Sequence, residues 1–260
     1  MNLKAIKYLI YIALIGWIVY KYGYPFYKNF NAPSETKKLY NSLTNDGLAW
    51  KIYEHSTKGN NIYLLELGES ENTTLIFGAF HGDEPGGFHL VVELARHLNS
   101  NQDLINNRVI LVPVLNPDGL LENERTNANK TDINRNFPTN NWSPVYSDNR
   151  YYPGRDAGSE IETHVAMRII DQYAPKKILS IHSALNVVNY DGPAIGLANE
   201  IARYNGYDIS EDIGYATPGS FGTYAGKELN IPTITLELPL YDPAQAWLDN
   251  KEALIRAINF

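Results

Sequence analysis

The sequence predicts an α/β domain built on a mixed, mainly parallel central sheet with helices on both faces, preceded by one N-terminal apolar helix. Three observations carry this. Short apolar runs of strand length alternate with stretches of helical period from residue 62 to residue 258. The 260 residues, 44% of them hydrophobic and 20% charged, suit a single domain with a full core. The polar residues best suited to chemistry also fall at the C-terminal ends of predicted strands, the edge at which open α/β sheets form their sites.

At the N-terminus, Lys4 and Lys7 precede an unbroken apolar and aromatic run from Tyr8 to Tyr20, followed by Lys21. At about 1.5 Å per residue the run alone is short for the roughly 30 Å of bilayer hydrocarbon. Snorkelling lysines and the aromatic belt Tyr20, Tyr22, Tyr24, Phe26 and Tyr27 extend it to a usable span. Three readings of residues 1–27 stay open: an uncleaved membrane anchor, a cleavable signal segment, and a buried helix. The bulky stretch Trp17 to Tyr24 offers no small-x-small cleavage pair, which favours the anchor. An anchor would hold the domain at the membrane on its periplasmic or extracytoplasmic side, with cytoplasmic or secreted placement as alternatives. Residues 28–47 read as a tether or a short first helix, and residues 48–260 as the domain itself.

Within the domain, Ile62–Leu67 and Thr74–Phe80 read as strands, the second running into His81-Gly82-Asp83-Glu84-Pro85. Pro85 suits the first turn of a helix whose apolar face is Phe88, Val91, Val92, Ala95 and Leu98. Val109–Leu115 is a buried strand stopped by the turn signature Asn116-Pro117-Asp118-Gly119. Ser159-x-x-Glu162 predicts a capping box opening a helix to about Tyr173. Ile178–Ile181 is a short strand ending at His182. Ile234–Leu238 is another, carrying Glu237, and a last helix spans about Ala244 to Ile258.

Composition narrows the chemistry. A net charge of -7 with no Lys/Arg stripe excludes phosphate-driven nucleic-acid binding. Cysteine is absent, which excludes disulfides, thiolate metal sites and a cysteine nucleophile. A metal site must come from carboxylates and the six histidines. His81-x-x-Glu84, between a strand and a helix with glycine at 82, can fold so that both side chains face one ion. His182 would complete the two-histidine, one-glutamate set of catalytic zinc. Glu237 sits in an apolar strand, where an unpaired carboxylate is costly and function is the better reading. His55, His89, His97 and His164 lack a second ligand at useful spacing and read as structural. Asp118 reads as a turn-former or as a partner for a metal-bound histidine.

These segments, over residues 74–240, resemble the metallocarboxypeptidase superfamily. His81-Gly82-Asp83-Glu84 looks like its first zinc motif and Asn116-Pro117-Asp118-Gly119 like its characteristic turn. Asp132-Ile133-Asn134-Arg135-Asn136-Phe137 looks like the segment that grips a substrate carboxylate. Ser180-Ile181-His182-Ser183 looks like the third-ligand strand, and Thr235-Leu236-Glu237-Leu238 like the strand of the general base. The resemblance implies a zinc carboxypeptidase-like fold and one zinc ion on His81, Glu84 and His182. It also implies Glu237 as catalytic base, Arg125 as oxyanion partner, Asn134 and Arg135 as carboxylate ligands, and Tyr215 as a mobile substrate contact.

The blocks Arg125–Ala128 and Thr217–Gly226, with Ile231–Pro239, look most like the family's compact bacterial branch. These murein peptide amidases cut between γ-D-glutamate and meso-diaminopimelate, so a peptidoglycan-derived peptide is the expected substrate. The position that sets side-chain preference in digestive relatives falls at about Gly222, so neither a basic nor a large apolar terminal residue is indicated. Zinc deacylases of amino acids are a rival class; the complete Asn-Pro-Asp-Gly turn and the Thr-Pro-Gly-Ser block argue for the peptidase. A metal-dead wall-binding protein is the non-enzymatic alternative.

Overall fold

A computed structural model describes residues 24–239 and 242–260, together with Tyr11, Leu14 and Trp17. Those three are helical and exposed; the rest of the predicted N-terminal anchor or signal segment before residue 24 lies outside the described residues. Among the described residues no helix is long and apolar enough to cross a membrane.

Eight strands form one sheet: β1 (Lys51–His55), β2 (Asn61–Leu67), β3 (Thr73–Gly78), β4 (Arg108–Val112), β5 (Lys177–Ser183), β6 (Val187–Asp191), β7 (Asp208–Ser210) and β8 (Thr233–Leu238). Their order is β1-β2-β4-β3-β5-β8-β6-β7. The central β4-β3-β5-β8 strands are parallel. β2 and β6 run antiparallel on either side, and β1 and β7 close the edges. The sheet is thus mixed around a parallel centre, as the alternation predicts.

Helices α2 (Pro85–Ser100), α5 (Ile195–Asn205) and α6 (Pro243–Asn259) cover one face, and α4 (Ile161–Tyr173) covers the other. Strand periodicity divides the side chains between them: Ile76 and Leu65 point into the first core, Leu75, Phe77 and Leu64 into the second. Burying both faces explains why these strands are near-continuously apolar.

Several expectations need correction. Of the two readings of residues 28–47, a tether or a short first helix, the helix is found: α1 (Tyr24–Ser42) runs through the segment, continued by a short turn at Leu43–Asn45. Its Tyr40 and Leu43 are buried against Tyr63, Val92, Val114 and Leu120, and that packing outweighs a polar composition that suggests a linker. Asn116-Pro117-Asp118-Gly119 opens a short helix, α3 (Pro117–Glu122), whose first N–H groups are capped by the Asn116 side chain, which accepts from Gly119 N at 2.9 Å. The capping box at Ser159 is not formed. The Ser159 hydroxyl donates to Glu160 at 2.6 Å, and Glu162 turns inward to accept from Asn127 Nδ2 at 3.0 Å.

That inward turn has a measurable consequence. Glu162 is fully buried, its Oε1 has no partner, and burial pushes its carboxyl up to about 7 against the opposing Asn127 hydrogen bond. Between the ordinary 4.5 and about 7 the folded chain keeps a proton that the unfolded chain loses. Stability therefore falls as pH rises through that window and stays reduced above it. At about 1.4 kcal/mol per unit the penalty is on the order of 3 kcal/mol. Glu162→Gln should raise the thermal midpoint at pH 8 by about 5 °C or more and leave it unchanged at pH 5. An equal shift at both pH values would mean that the buried charge is not the cause.

Candidate metal and active site

Three strand ends build the site. β3 stops at Gly78 and the chain turns through Ala79 and Phe80 to deliver His81 and, at the mouth of α2, Glu84. Gly82 makes the turn possible: a Cβ there would stand 1.9 Å from the Gly119 carbonyl carbon, so the His81 turn seats directly on α3. β5 delivers His182 and β8 delivers Glu237, which are register partners in the parallel ladder and so share one face.

His81 Nδ1 lies 2.8 Å from Glu84 Oε1 and 3.2 Å from His182 Nδ1, and His182 Nδ1 lies 3.1 Å from Glu84 Oε2. The ligand atoms of all three fall within 4.8 Å of one another. Two imidazole nitrogens facing each other beside a carboxylate are poorly served by a single proton and well served by a divalent cation, so the donor set fits zinc. The outer ring position of His81 supports this: its Nε2 is 3.0 Å from Asp132 Oδ1, a carboxylate that fixes the tautomer and aims Nδ1 inward. The His182 ring is stacked on Phe80 at 5.3 Å.

The electrostatics follow from burial and crowding. Burial alone would depress the His81 imidazole, but the Glu84 and Asp132 carboxylates carry it up to about 9 against the opposing Arg125. Glu84 is desolvated, yet His81 and His182 hold it well below the usual carboxylate range. Glu237 goes the other way. Burial raises it more than His182 lowers it, and its Oε2 has no hydrogen-bond partner. One cavity thus holds a carboxylate kept ionised by the histidines and another poised to accept a proton.

All eight residues singled out from the sequence, namely His81, Glu84, His182, Glu237, Arg125, Asn134, Arg135 and Tyr215, line one cavity of about 190 Å³. Arg125 donates from Nε and Nη2 to Asp132 Oδ2 at 3.1 and 2.9 Å, and from Nη1 to Glu84 Oε1 at 3.2 Å, which sets it beside the metal cluster. Asn134 Oδ1 accepts from Phe221 N at 2.8 Å, leaving Nδ2 as its free donor end. Arg135 is buried, with Nη1 tied to the Asn134 carbonyl at 2.6 Å. Tyr215 is half exposed at the mouth.

Asp118 does not reach a histidine. It accepts from the Ser56 hydroxyl at 2.5 Å, Lys58 N at 3.0 Å and Asn60 Nδ2 at 2.7 Å, pinning the β1–β2 turn. Asp132 holds the place expected for it. His89 bonds Thr36 at 3.1 Å and His97 packs on Trp247, so neither joins the cluster. Sequence reasoning also passed over Tyr151, whose ring lies 5.3, 5.7 and 5.5 Å from the guanidinium carbons of Arg125, Arg135 and Arg150. One of 19 tyrosines without a motif of its own gives no signal for that role. A Cβ on Gly222 would meet Asp191 Oδ2 at 2.1 Å, so the space beside Gly222 is occupied by a carboxylate from β6, which is itself paired with Lys227 Nζ at 3.1 Å.

Comparison with known proteins agrees with this geometry. The zinc carboxypeptidase family model matches residues 50–197. Murein peptide amidase A of Vibrio campbellii is 35% identical over 190 residues, covering 68% of this chain and 74% of the relative. The Escherichia coli K12 protein of that name is 34% identical over 182 residues, covering 65% and 72%. The crystal structure of murein-tripeptide amidase MpaA from Escherichia coli O157 superposes with a TM-score of 0.71 at 28% identity, covering 81% of this chain and 92% of that one. Carboxypeptidase A of Helicoverpa armigera shares the fold with a TM-score of 0.68 at 22% identity, over 87% of this chain and 71% of that one.

Proposed function

The chain belongs to the zinc carboxypeptidase family, and on that premise we propose that it hydrolyses the amide bond between γ-D-glutamate and meso-diaminopimelate in peptidoglycan peptides. The observation that carries this reading is the convergence of His81, Glu84 and His182 beside the partnerless Glu237 oxygen, in a cavity that also presents Asn134 and Arg135. The two amidase relatives support the choice of substrate.

In this reading His81, Glu84 and His182 would hold zinc, which would supply Lewis acidity toward a water and the scissile carbonyl. Arg135 grips the substrate's terminal carboxylate through a planar fork, with Asn134 Nδ2 adding a donor. Glu237 removes a proton from the attacking water and returns it to the leaving amine, a task suited to a carboxylate whose affinity for protons is raised by burial. Arg125, held by Asp132 and Glu84, donates to the negative charge that develops on the carbonyl oxygen. Tyr215 covers the mouth.

Mass spectrometry of L-Ala-γ-D-Glu-meso-diaminopimelate incubated with the zinc-loaded protein should show free diaminopimelate. If that peptide is untouched while the same preparation cleaves ordinary C-terminal residues or N-acyl amino acids, the murein reading is rejected.

A further inference from the structure

Arg125, Arg135 and Arg150 all line the metal cavity, and the reaction described above uses only the first two. Arg150 is left over. It sits on a short helical turn, Asn149–Tyr151, capped by the Asp148 side chain, which accepts from Arg150 N at 2.8 Å. The backbone is thus fixed while the side chain stays 52% exposed. The guanidinium carbon of Arg150 lies 5.5 Å from the centre of the Tyr151 ring and that of Arg125 lies 5.3 Å from it, so the two cations are neighbours.

Arg150 also marks a direction. With Arg125 it lines an outer cleft of about 570 Å³ that neither Arg135 nor Asn134 borders. The substrate's terminal residue lies toward Arg135, so the cleft beyond Arg125 is where the substrate ahead of the scissile bond runs. The other cations along that cleft are already engaged: Arg125 by Asp132 and Glu84, and Lys130 by Glu124. Arg150 has only Asp83, whose Oδ2 stands 3.6 Å from Nη2, beyond hydrogen-bond range. So loose an exposed pair holds a side chain weakly.

We propose that Arg150 binds a free carboxylate on the residue that precedes the scissile bond. The inference rests on the murein reading above, in which that residue is D-glutamate joined through its γ-carbonyl. Such a linkage leaves the α-carboxylate unblocked, whereas the backbone of an ordinary α-linked residue carries no charge there. A planar guanidinium meets a carboxylate with two parallel N–H donors, a better contact than the loose one to Asp83 that it replaces. Arg150 is then a specificity-determining residue, acting on the opposite side of the scissile bond from Asn134 and Arg135.

The test compares L-Ala-γ-D-Glu-meso-diaminopimelate with the same peptide amidated at the α-carboxylate of its D-glutamate. The parent protein should show a KM about 10–100-fold lower for the acid than for the amide, the worth of hydrogen bonds to a charged group. Arg150→Met should erase that preference by raising KM for the acid and scarcely for the amide, with kcat unchanged. Arg150→Lys should restore part of it, since the charge returns without the fork. Disturbed packing on Tyr151 would instead raise KM for both peptides alike. Equal effects on the two peptides, or no preference in the parent, would overturn the assignment. Ordinary α-linked peptides with Asp or Asn before the scissile bond separate the two possible failures. If the parent cleaves only these, and Arg150→Met raises KM for the Asp peptide alone, the carboxylate site stands and the murein reading falls. If the Asp and Asn peptides then respond alike, both fall.

Discussion

Glu237→Gln should lower kcat by about 10²–10⁴-fold, the usual worth of a positioned proton-transfer group, with KM and bound zinc nearly unchanged. The geometry separates these effects. The zinc-facing atoms come from His81, Glu84 and His182, whereas Glu237 stands on β8 across the ladder from His182. An amide keeps the shape of the side chain and removes its capacity to hold a proton. Burial also holds the Glu237 carboxyl above the ordinary range. Activity should therefore fall as pH drops through that raised value, because the base is then already protonated, and the variant's residual activity should lack that acid limb. Loss of zinc from the variant, or a kcat within tenfold of the parent, would remove Glu237 from the base role.

Asp132→Ala should weaken zinc binding by about 10–100-fold, in the manner of other partners of metal-bound histidines. Asp132 is fully buried and serves three neighbours at once. Its Oδ1 meets His81 Nε2 and caps Asn134 N at 2.9 Å, and its Oδ2 takes two donors from Arg125. Truncation leaves the His81 ring free to rotate and the nearly buried Arg125 short of a partner. The metal-free protein should also lose on the order of 3–5 kcal/mol of stability. Chelator competition reads the first effect and denaturant unfolding the second. Unchanged zinc affinity with a reduced kcat would mean that Asp132 acts through Arg125 alone.

How far the sequence reveals this molecule depends on where each signal is stored. β2 to β5, β8, α2, α4 and α6 are legible because both sheet faces are covered, so the central strands are near-continuously apolar and the helices keep a regular buried stripe. The edge strands β1 and β7, the short strand β6 and helix α5 escape notice, since their partly exposed residues become strand or helix only through pairing and packing. α3 has six residues, too few to show a period. His81, Glu84, His182 and Glu237 are legible because strand ends concentrate them. Asp132 is not, because its partners His81 and Arg125 lie 51 and 7 positions away and no periodic element marks it. Asp191 is hidden twice, by riding an unforeseen strand and by filling space that Gly222 leaves blank.

The docking of α1 also bears on where the folding unit begins. The family match starts at residue 50, and a boundary drawn there would discard Thr36, Tyr40 and Leu43, all buried. Their removal would strip the cover from Tyr63, Val114 and Leu120, an apolar patch beside the helix on which the Gly82 turn is seated. A shortened protein cut where the family match begins would therefore be prone to aggregate, and one cut ahead of Thr36 would keep its cover. The unit that folds is longer at its N-terminal end than the segment the family model matches.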